Sequence, residues 1–269
     1  MNGLDSVSRR LRKDIINTVA CSKRGHVPSA FSIVEILRVL YDDVLKYDPL
    51  RPLWPERDRF ILSKGHGCLA LYVILANKGF FPKNELEKFC SSAGRLGGHP
   101  EYGKVPGIEA STGALGHGLS IGVGMALNAR YEKSDYRTIV LLGDGECNEG
   151  SVWEAAMSAS KHRLNSLLAI VDYNKQQSYG SVSEVQELEP FADKWTSFGF
   201  DVKEVDGHDL TSLRAVLTKR PFHQEKPCVL ICHTIKGKGI SFLEKNLEWH
   251  HKSSITSDEL AALYSEIGR

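Results

Sequence analysis

The chain has 269 residues, of which 42% are hydrophobic and 25% are charged, the composition of an ordinary globular protein. Its 34 Lys and Arg against 33 Asp and Glu give a formal charge of +1, which leaves no surplus of positive charge for a nucleic acid or an anionic membrane. No apolar run approaches the roughly 20 residues that cross a bilayer, and Asp5, Arg9 and Arg10 stand where a signal peptide needs an apolar segment. We therefore expect a cytoplasmic protein that binds neither nucleic acid nor membrane.

Six cysteines are scattered along the chain, and none forms a C-x-x-C pair. Cys228 and Cys232 lie four residues apart inside an apolar run, which suits reduced core thiols better than zinc ligands. The same interpretation applies to the other four, Cys21, Cys68, Cys90 and Cys147.

The opening segment predicts a helix, because its apolar residues recur three and four positions apart. These residues are Leu4, Val7, Leu11, Ile15 and Val19. Ser32 is predicted to be the N-cap of a second helix, and Asn84 that of a short third one.

Short apolar runs then alternate with helical patterns. Runs at residues 60–62, 138–142, 167–171 and 229–232 predict strands buried on both faces, as in a parallel sheet. Helical patterns lie at about 111–133, 149–162 and 210–219. This order predicts an α/β fold, a doubly wound, mostly parallel sheet with helices on both faces, as one domain over residues 1–269. Ligands of such sheets bind beyond the carboxyl ends of the strands.

Two polar side chains directly follow neighbouring predicted strands. Asp144 lies between Gly143 and Gly145, which let the backbone turn sharply near a ligand, and Asn174 follows the next strand thirty positions later. One helix fills the interval, so both residues are expected at the carboxyl edge of the sheet. A carboxylate and an amide oxygen are hard ligands suited to Mg²⁺ or Ca²⁺. A Gly-Asp-Gly by itself is more often a plain tight turn.

Residues 111–116 are glycine-rich and precede a helical pattern, so free N–H groups there could bind a diphosphate; a helix cap without a ligand is the alternative. Four histidines lie in or beside glycine-containing loops. They are His26, His66, His99 and His250. Imidazole donates or accepts protons near neutral pH, which suits work at a carbonyl and on sugar or phosphate oxygens. For any one of them alone, a structural role is the alternative.

The Gly-Asp-Gly segment and the Asn thirty residues later resemble the thiamine diphosphate signature of the transketolase family. Further segments resemble transketolase in transketolase order and extend the likeness over nearly the whole chain. They are residues 25–26, 63–66, 98–100, 106–116, 124–127, 236–239 and 248–250. The resemblance implies the thiamine diphosphate-binding fold, in the form of the domain that holds the diphosphate and the metal.

The resemblance also implies roles for individual residues. The metal, Mg²⁺ or alternatively Ca²⁺ or Mn²⁺, would be held by Asp144, Asn174 and the main-chain carbonyl of Gln176. His26 and His99 would face substrate oxygens. Glu149 would join an acidic network between the two active sites of a dimer, with a favourable charge at a helix start as the alternative. The implied cofactor-binding residues are His66, Gly113, Ala114, Leu115, Gly143, Asp144, Gly145, Glu146, Asn174 and His250, of which His66 and His250 would also lie near the reacting carbon.

The likeness covers the first of the two cofactor-handling halves of a transketolase, and the sequence shows no second α/β unit. It implies the N-terminal subunit of a split transketolase, which transfers a two-carbon ketol unit from a ketose phosphate to an aldose phosphate, as in the pentose phosphate pathway. The expected partner is a C-terminal subunit with the pyrimidine-binding domain, in an assembly of two copies of each chain.

Three alternatives remain open from the sequence. The chain could belong to another thiamine diphosphate enzyme, such as a deoxyxylulose phosphate synthase-like protein or a 2-oxoacid dehydrogenase α-subunit, or be a non-catalytic cofactor-binding subunit. A nicotinamide-binding protein is disfavoured, because no G-x-G-x-x-G follows the first predicted strand. Val27, His117 and His251 depart from the usual family pattern beside expected ligand contacts. The sequence therefore leaves the specificity for the sugar substrate open.

Overall fold

The computed structural model describes residues 4–219, 222–250, 252 and 254–268, and five parallel strands form one sheet in it. Along the sheet the strands stand in the order β1-β2-β3-β5-β4. They are β1 (Arg59–Leu62), β2 (Thr138–Gly143), β3 (Leu167–Tyr173), β4 (Asp201–Asp206) and β5 (Cys228–His233). Each of the four predicted runs falls within one of these strands, so the predicted parallel sheet is confirmed.

Helices connect the strands and cover both faces of the sheet. They are α1 (Ser6–Ser22), α2 (Val27–Phe31), α3 (Val34–Val39), α4 (Cys68–Asn77), α5 (Gly118–Tyr131), α6 (Gly150–Lys161), α7 (Val182–Val185), α8 (Phe191–Ser197), α9 (Leu210–Leu217) and α10 (Ser257–Ile267). No helix in the described ranges is long and apolar enough to span a membrane.

Two apolar cores lie on opposite faces of the sheet because successive strand residues point to opposite sides. Ile139 and Leu141 of β2 pack into a core with α1, α3 and α4. Val140 and Leu142 pack into the other core with α5, α6 and α8. The helices therefore flank the sheet on both sides, and the predicted doubly wound arrangement is confirmed.

The sequence pattern does not predict strand β4, because this strand lies at the edge of the sheet. Its residues are only partly buried, and its sequence mixes acidic and apolar residues instead of forming an apolar run. A strand with a neighbour on one side only does not need a continuous apolar sequence.

Two predicted helix caps are wrong. Ser32 ends α2, and its hydroxyl donates to Asp172 Oδ2 at 2.7 Å instead of capping the next helix. Asn84 lies inside a short 3-10 helix, Lys83–Lys88, that is preceded by Pro82. A tertiary partner for the hydroxyl and a proline that fixes the chain direction outweigh the local capping preference.

Two further expectations fail in detail. The helix expected from residue 111 begins at Gly118, because Gly113 and Gly116 have φ values of +132° and +81°, which an α-helix does not contain. The prediction that all six cysteines are core residues is wrong for Cys21, which is exposed on α1.

A buried ion pair joins the N-terminal helices. Arg12 of α1 donates to both carboxylate oxygens of Glu35 on α3, at 2.6 and 2.9 Å, and both side chains are almost fully buried. His208 adds an Nδ1 contact to Glu35 at 2.9 Å. Burial alone raises the pKa of Glu35, but the Arg12 charge and the hydrogen bonds outweigh it and hold the pKa well below its ordinary value.

Replacing Glu35 with Gln should lower the free energy of unfolding by about 3 kcal/mol, since it leaves Arg12 buried without its counter-charge. Urea unfolding at neutral pH measures this loss. The difference between wild type and variant should shrink as the pH falls below the ordinary glutamate value of 4.5, because Glu35 then takes up a proton in the unfolded state but not in the folded state, which stabilises the unfolded wild-type chain.

Glu56 provides a matched control because its ion pair with Lys46, at 3.3 Å, lies on the surface. Glu56→Gln should leave the unfolding midpoint nearly unchanged. Equal losses in the two variants would contradict the importance of the buried pair.

Candidate active site

A cavity of about 160 Å³ opens at the carboxyl edge of the sheet. Its lining residues follow four different strands: His66 comes after β1, Asp144 after β2, Asn174 after β3 and Lys236 after β5. Parallel pairing of β1, β2, β3 and β5 brings these strand ends together. Asp144 and Asn174, which the sequence places at one edge, thus line the same cavity.

The Asp144 carboxylate is buried and receives its described hydrogen bonds from backbone groups. Oδ1 accepts from the N–H of Gly145 at 2.7 Å, and Oδ2 accepts from the N–H of Lys175. Burial, followed by the negative charge of Asp172, raises the pKa of Asp144 to about 7. The carboxylate therefore lies in an environment where a nearby cation would stabilise its charged form.

Asp172 is equally buried but has a cation of its own. Its carboxylate accepts from the Lys64 ammonium and from the hydroxyls of Ser32 and Thr234. Burial raises the pKa of Asp172, but the Lys64 charge and these donors outweigh it and lower the pKa below its ordinary value. Asp172 is thus a charge-balanced support beneath the cavity, whereas Asp144 is not balanced in this way.

The Asn174 side chain is held in one orientation by two contacts. Its Nδ2 donates to Asp172 Oδ2 at 3.0 Å, and its Oδ1 accepts from the N–H of Gln176 at 3.1 Å. The main-chain oxygen of Gln176 accepts from Lys236 Nζ at 3.2 Å. Asn174, Gln176 and Asp144, the three residues expected to hold a metal, thus line one cavity.

Glu146 lies in the wall of the cavity, and its carboxylate is committed to the protein. It accepts from the N–H of Gly143 at 3.0 Å, from the N–H of Gly116 at 2.9 Å and from the Ser63 hydroxyl. Burial raises the pKa of Glu146. This side chain ties together the loops after β1 and β2 and the residues before α5.

Three imidazoles form one cluster beside the cavity. The ring centroids of His26 and His66 are 5.6 Å apart, those of His26 and His250 are 6.2 Å apart, and those of His66 and His250 are 6.1 Å apart. Burial and then the Lys64 charge lower the pKa of His66 well below the ordinary value, which favours its neutral form. Three of the four histidines singled out from the sequence are therefore brought together.

The hydrogen bonds of this cluster define ring tautomers. His26 Nδ1 lies 2.7 Å from the carbonyl oxygen of His250, and since a carbonyl only accepts, Nδ1 carries the proton. His250 Nδ1 contacts Lys236 Nζ, and while Lys236 is protonated it only donates, so Nε2 of His250 then carries the proton and donates to Ser178 Oγ at 3.2 Å. Both rings are thereby oriented by fixed protein groups.

The remaining expected residues have different positions. His99 is exposed and packs against Gly113, where an added Cβ would approach the ring to 2.9 Å. Leu115 and Glu149 line the cavity, whereas Ala114 is exposed and neither it nor Gly113 is among the lining residues. His117 is exposed at the start of α5, Val27 is buried in α2, and His251 lies outside the described residues.

Sequence reasoning gave no role to Lys64, Lys236, Gln177 or Ser178, all of which line the cavity. Burial, and then the Lys64 charge, lower the pKa of Lys236 to about 7. The two lysines lie in the segments 63–66 and 236–239, which resemble transketolase. That resemblance does not indicate which residue of each segment lines the cavity. Gln177 had no signal at all, because its position depends on the loop that follows β3.

Comparison with known proteins agrees with this geometry. A family model described as transketolase, thiamine diphosphate binding domain, matches residues 5–269. The chain is 44% identical over 248 residues to one of the subunits of the apulose-4-phosphate transketolase from Phocaeicola vulgatus, a match covering 92% of this chain and 88% of that protein. It is 40% identical over 257 residues to a 6-deoxy-6-sulfo-D-fructose transketolase subunit from a Clostridium species, covering 96% of this chain and 93% of that one.

Among solved structures, the fold is similar to transketolase from Leishmania mexicana, with a TM-score of 0.89 and 31% sequence identity. The match covers 98% of this chain but 41% of that chain, so this chain spans less than half the length of the solved transketolase. The likeness confirms the thiamine diphosphate-binding α/β fold that the sequence resemblance implies. The chain belongs to the transketolase family and matches its thiamine diphosphate-binding domain.

Proposed function

We propose that this chain is the N-terminal, thiamine diphosphate-binding subunit of a two-chain transketolase that moves a two-carbon ketol unit from a ketose phosphate to an aldose phosphate. The observation that carries the proposal is the convergence of Asp144, Asn174 and three imidazoles at one edge of the sheet. Relatives of nearly equal length that are named as transketolase subunits support the two-chain arrangement. One sheet with a core on each face supports a single domain over residues 1–269.

The residues of the cavity fit a divalent metal. Asp144 offers a carboxylate whose described hydrogen bonds come from backbone groups, Asn174 offers an amide oxygen, and Gln176 offers its main-chain oxygen. Hard oxygen donors of this kind suit Mg²⁺, and also Ca²⁺ or Mn²⁺, with the rest of the coordination shell left to phosphate oxygens. We assign the metal to these three residues and favour Mg²⁺.

The same cavity fits the diphosphate. Within the described chain, Gln177 Nε2 and Gln176 Oε1 are buried without a hydrogen-bond partner, and a bound polar ligand would satisfy such atoms. Lys236 and His66 add donors at the wall. The proposed contacts are His66, Leu115, Gly143, Asp144, Gly145, Asn174 and His250, with Glu146, Gly113 and Ala114 shaping the loops around them.

The histidines would position the sugars and move protons. The chemistry supplied by bound thiamine diphosphate is covalent attack on a ketose carbonyl and stabilisation of the resulting negative charge. His26 has its proton on Nδ1, so in the neutral ring Nε2 accepts a hydrogen bond or a proton from a sugar hydroxyl. His66 and His250 would lie near the diphosphate and the reacting carbon, and His99 would face a substrate oxygen from its exposed position.

The assembly would contain two copies of this chain and two copies of a C-terminal subunit. Ile121 on α5 and Met157 on α6 expose apolar surface on two helices that pack against each other, and such surface favours association. Glu149 is exposed at the start of α6, where it could meet the second active site across this interface. The free thiols support a cytoplasmic location, since a reducing compartment keeps cysteines unpaired.

Replacing Asp144 with Asn should abolish metal-dependent binding of thiamine diphosphate while leaving the thermal unfolding temperature unchanged or slightly higher. The metal loses its charged ligand, yet the protein loses a buried negative charge that burial and the neighbouring Asp172 charge disfavour. Calorimetric titration of the cofactor with Mg²⁺ into the assembled two-chain enzyme measures the binding.

Asp135→Asn is the matched control for the Asp144 variant, because Asp135 is exposed in the loop before β2. Its titration should match wild type. Normal cofactor binding by Asp144→Asn would contradict the metal assignment.

Substituting His99 with Ala should lower kcat/KM about 10- to 100-fold, the range expected for a lost substrate contact or a weak acid–base contribution, with little change in melting temperature. The exposed position of His99 explains the small effect on stability. His162→Ala serves as the control, since His162 is also exposed but lies at the end of α6. A large loss of stability with normal turnover would return His99 to a structural role.

The chain alone should show no transketolase turnover with xylulose 5-phosphate and ribose 5-phosphate, because it matches 41% of the solved transketolase and its relatives of similar length are named as subunits. Adding a C-terminal transketolase subunit should restore turnover. Analysis of the sugar products measures it. Full activity of the chain alone would defeat the two-chain proposal. Turnover of pyruvate in place of xylulose 5-phosphate would favour another thiamine diphosphate enzyme, and binding of cofactor without turnover would favour a non-catalytic subunit.

A further inference from the structure

A second cavity, of about 360 Å³, lies beside the 160 Å³ cavity of the candidate active site, which we call the diphosphate cavity after its proposed ligand. Arg24, His26, Phe89, Cys90 and His99 are among its lining residues, and no carboxylate is among them in the described chain. Basic and uncharged groups therefore determine the electrostatic character of this space. Its volume is in the range of small-molecule sites.

The histidine cluster forms the boundary between the two cavities. His26 lines the second cavity, whereas His66 and His250 line the first. The ring of His26 lies 5.6 and 6.2 Å from the rings of the other two. A molecule in the second cavity is thus separated from the diphosphate cavity by a single layer of imidazoles.

Arg24 is the cation of this cavity that has no counter-ion in the described chain. Lys252, which also lines the cavity, is committed to Glu259 at 2.6 Å and stacks on Trp249. Arg24 itself is exposed at the rim of the cavity. The guanidinium of Arg24 has no such ion pair among the described residues, so an anion in the cavity would be its first counter-ion.

The backbone holds Arg24 at the rim. Lys23 ends α1 in a left-handed conformation with φ of 54°, and its carbonyl accepts from the N–H of Ile255 at 2.7 Å. The N–H of Arg24 bonds to the Ser22 hydroxyl at 3.4 Å. The turn that carries Arg24 is therefore anchored to the C-terminal segment, which fixes the point from which its side chain extends.

We propose that the second cavity receives the anionic end of the sugar substrate, a phosphate or sulfonate group, and that Arg24 is the residue of this chain that selects for it. The planar guanidinium matches a tetrahedral oxyanion through two parallel hydrogen bonds. His26 and His99 then contact the hydroxyls between the anionic end and the reacting carbon. This inference rests on the proposed function and names the substrate class and a specificity residue for it.

The kinetic test compares a phosphorylated with an uncharged acceptor in the two-chain enzyme. Arg24→Gln should lower kcat/KM for ribose 5-phosphate about tenfold, as expected for one charge-assisted contact at an exposed site, and leave kcat/KM for D-ribose unchanged. Arg24→Lys should recover part of the loss. Arg10→Gln removes a charge from an exposed arginine of α1 outside the cavity and should have no effect.

A binding test independent of turnover uses the thiol of Cys90. Cys90 lines the cavity, whereas Cys21 is exposed on α1 and serves as the internal reference. Ribose 5-phosphate should slow iodoacetamide alkylation of Cys90 in the full chain but not that of Cys21, and Arg24→Gln should abolish this protection. D-ribose at the same concentration should protect less. A 6-sulfonated fructose, tested in parallel, distinguishes a sulfonate from a phosphate as the preferred anion.

The two readouts separate failure of this inference from failure of the proposed function. If the two-chain enzyme shows no transketolase turnover, Cys90 protection that depends on Arg24 still supports an anion site in the cavity. If turnover is present, but Arg24→Gln affects ribose and ribose 5-phosphate equally, the selective role of Arg24 is overturned. Absence of Cys90 protection in the wild-type chain overturns the site itself.

Discussion

The architecture around the site depends on one buried carboxylate, that of Asp172 at the end of β3. An ionised carboxylate in a protein interior costs several kcal/mol unless cations and hydrogen-bond donors compensate it. Here the compensation comes from Lys64 after β1, from Ser32 after α2 and from Thr234 after β5. The Asp172 side chain therefore joins three elements at the carboxyl edge of the sheet. Its Oδ2 atom, which accepts from Ser32 and Lys64, also accepts from Asn174 Nδ2 and so orients that side chain.

The contrast between Asp172 and Asp144 follows from this arrangement. Lys64 is committed to Asp172, which leaves Asp144 next to a second negative charge with only backbone donors as its described partners. The strand register places Asp172 beside Gly143, so the repulsion is built into the pairing of β2 with β3. A divalent cation bound by Asp144 would relieve it. One carboxylate thus organises the strand ends, and the other is the one to which we assign the proposed metal.

The central strands could be predicted from sequence because both of their faces are buried, which demands a continuous apolar run in β2 and β3. The position of Asp144 and Asn174 follows from the same fact, since parallel neighbours end at one edge. Ser32 was mispredicted because its partner lies 140 residues away, where no local pattern can reveal it. The sequence does not predict the roles of Lys64 and Lys236 for the same reason, since their approach to the cavity depends on how the loops fold over the edge of the sheet.

The electrostatic environment explains why imidazoles occupy the boundary between the two cavities. Two ammonium groups, Lys64 and Lys236, lie close enough to His66 to disfavour its protonated form, and burial acts in the same direction. A neutral imidazole can still donate through one nitrogen and accept through the other. His26 and His250 have their donor nitrogens set by a carbonyl oxygen and an ammonium, so their orientation does not depend on a bound substrate. The proposed role of this boundary in moving protons is compatible with an environment that disfavours a positive charge on His66.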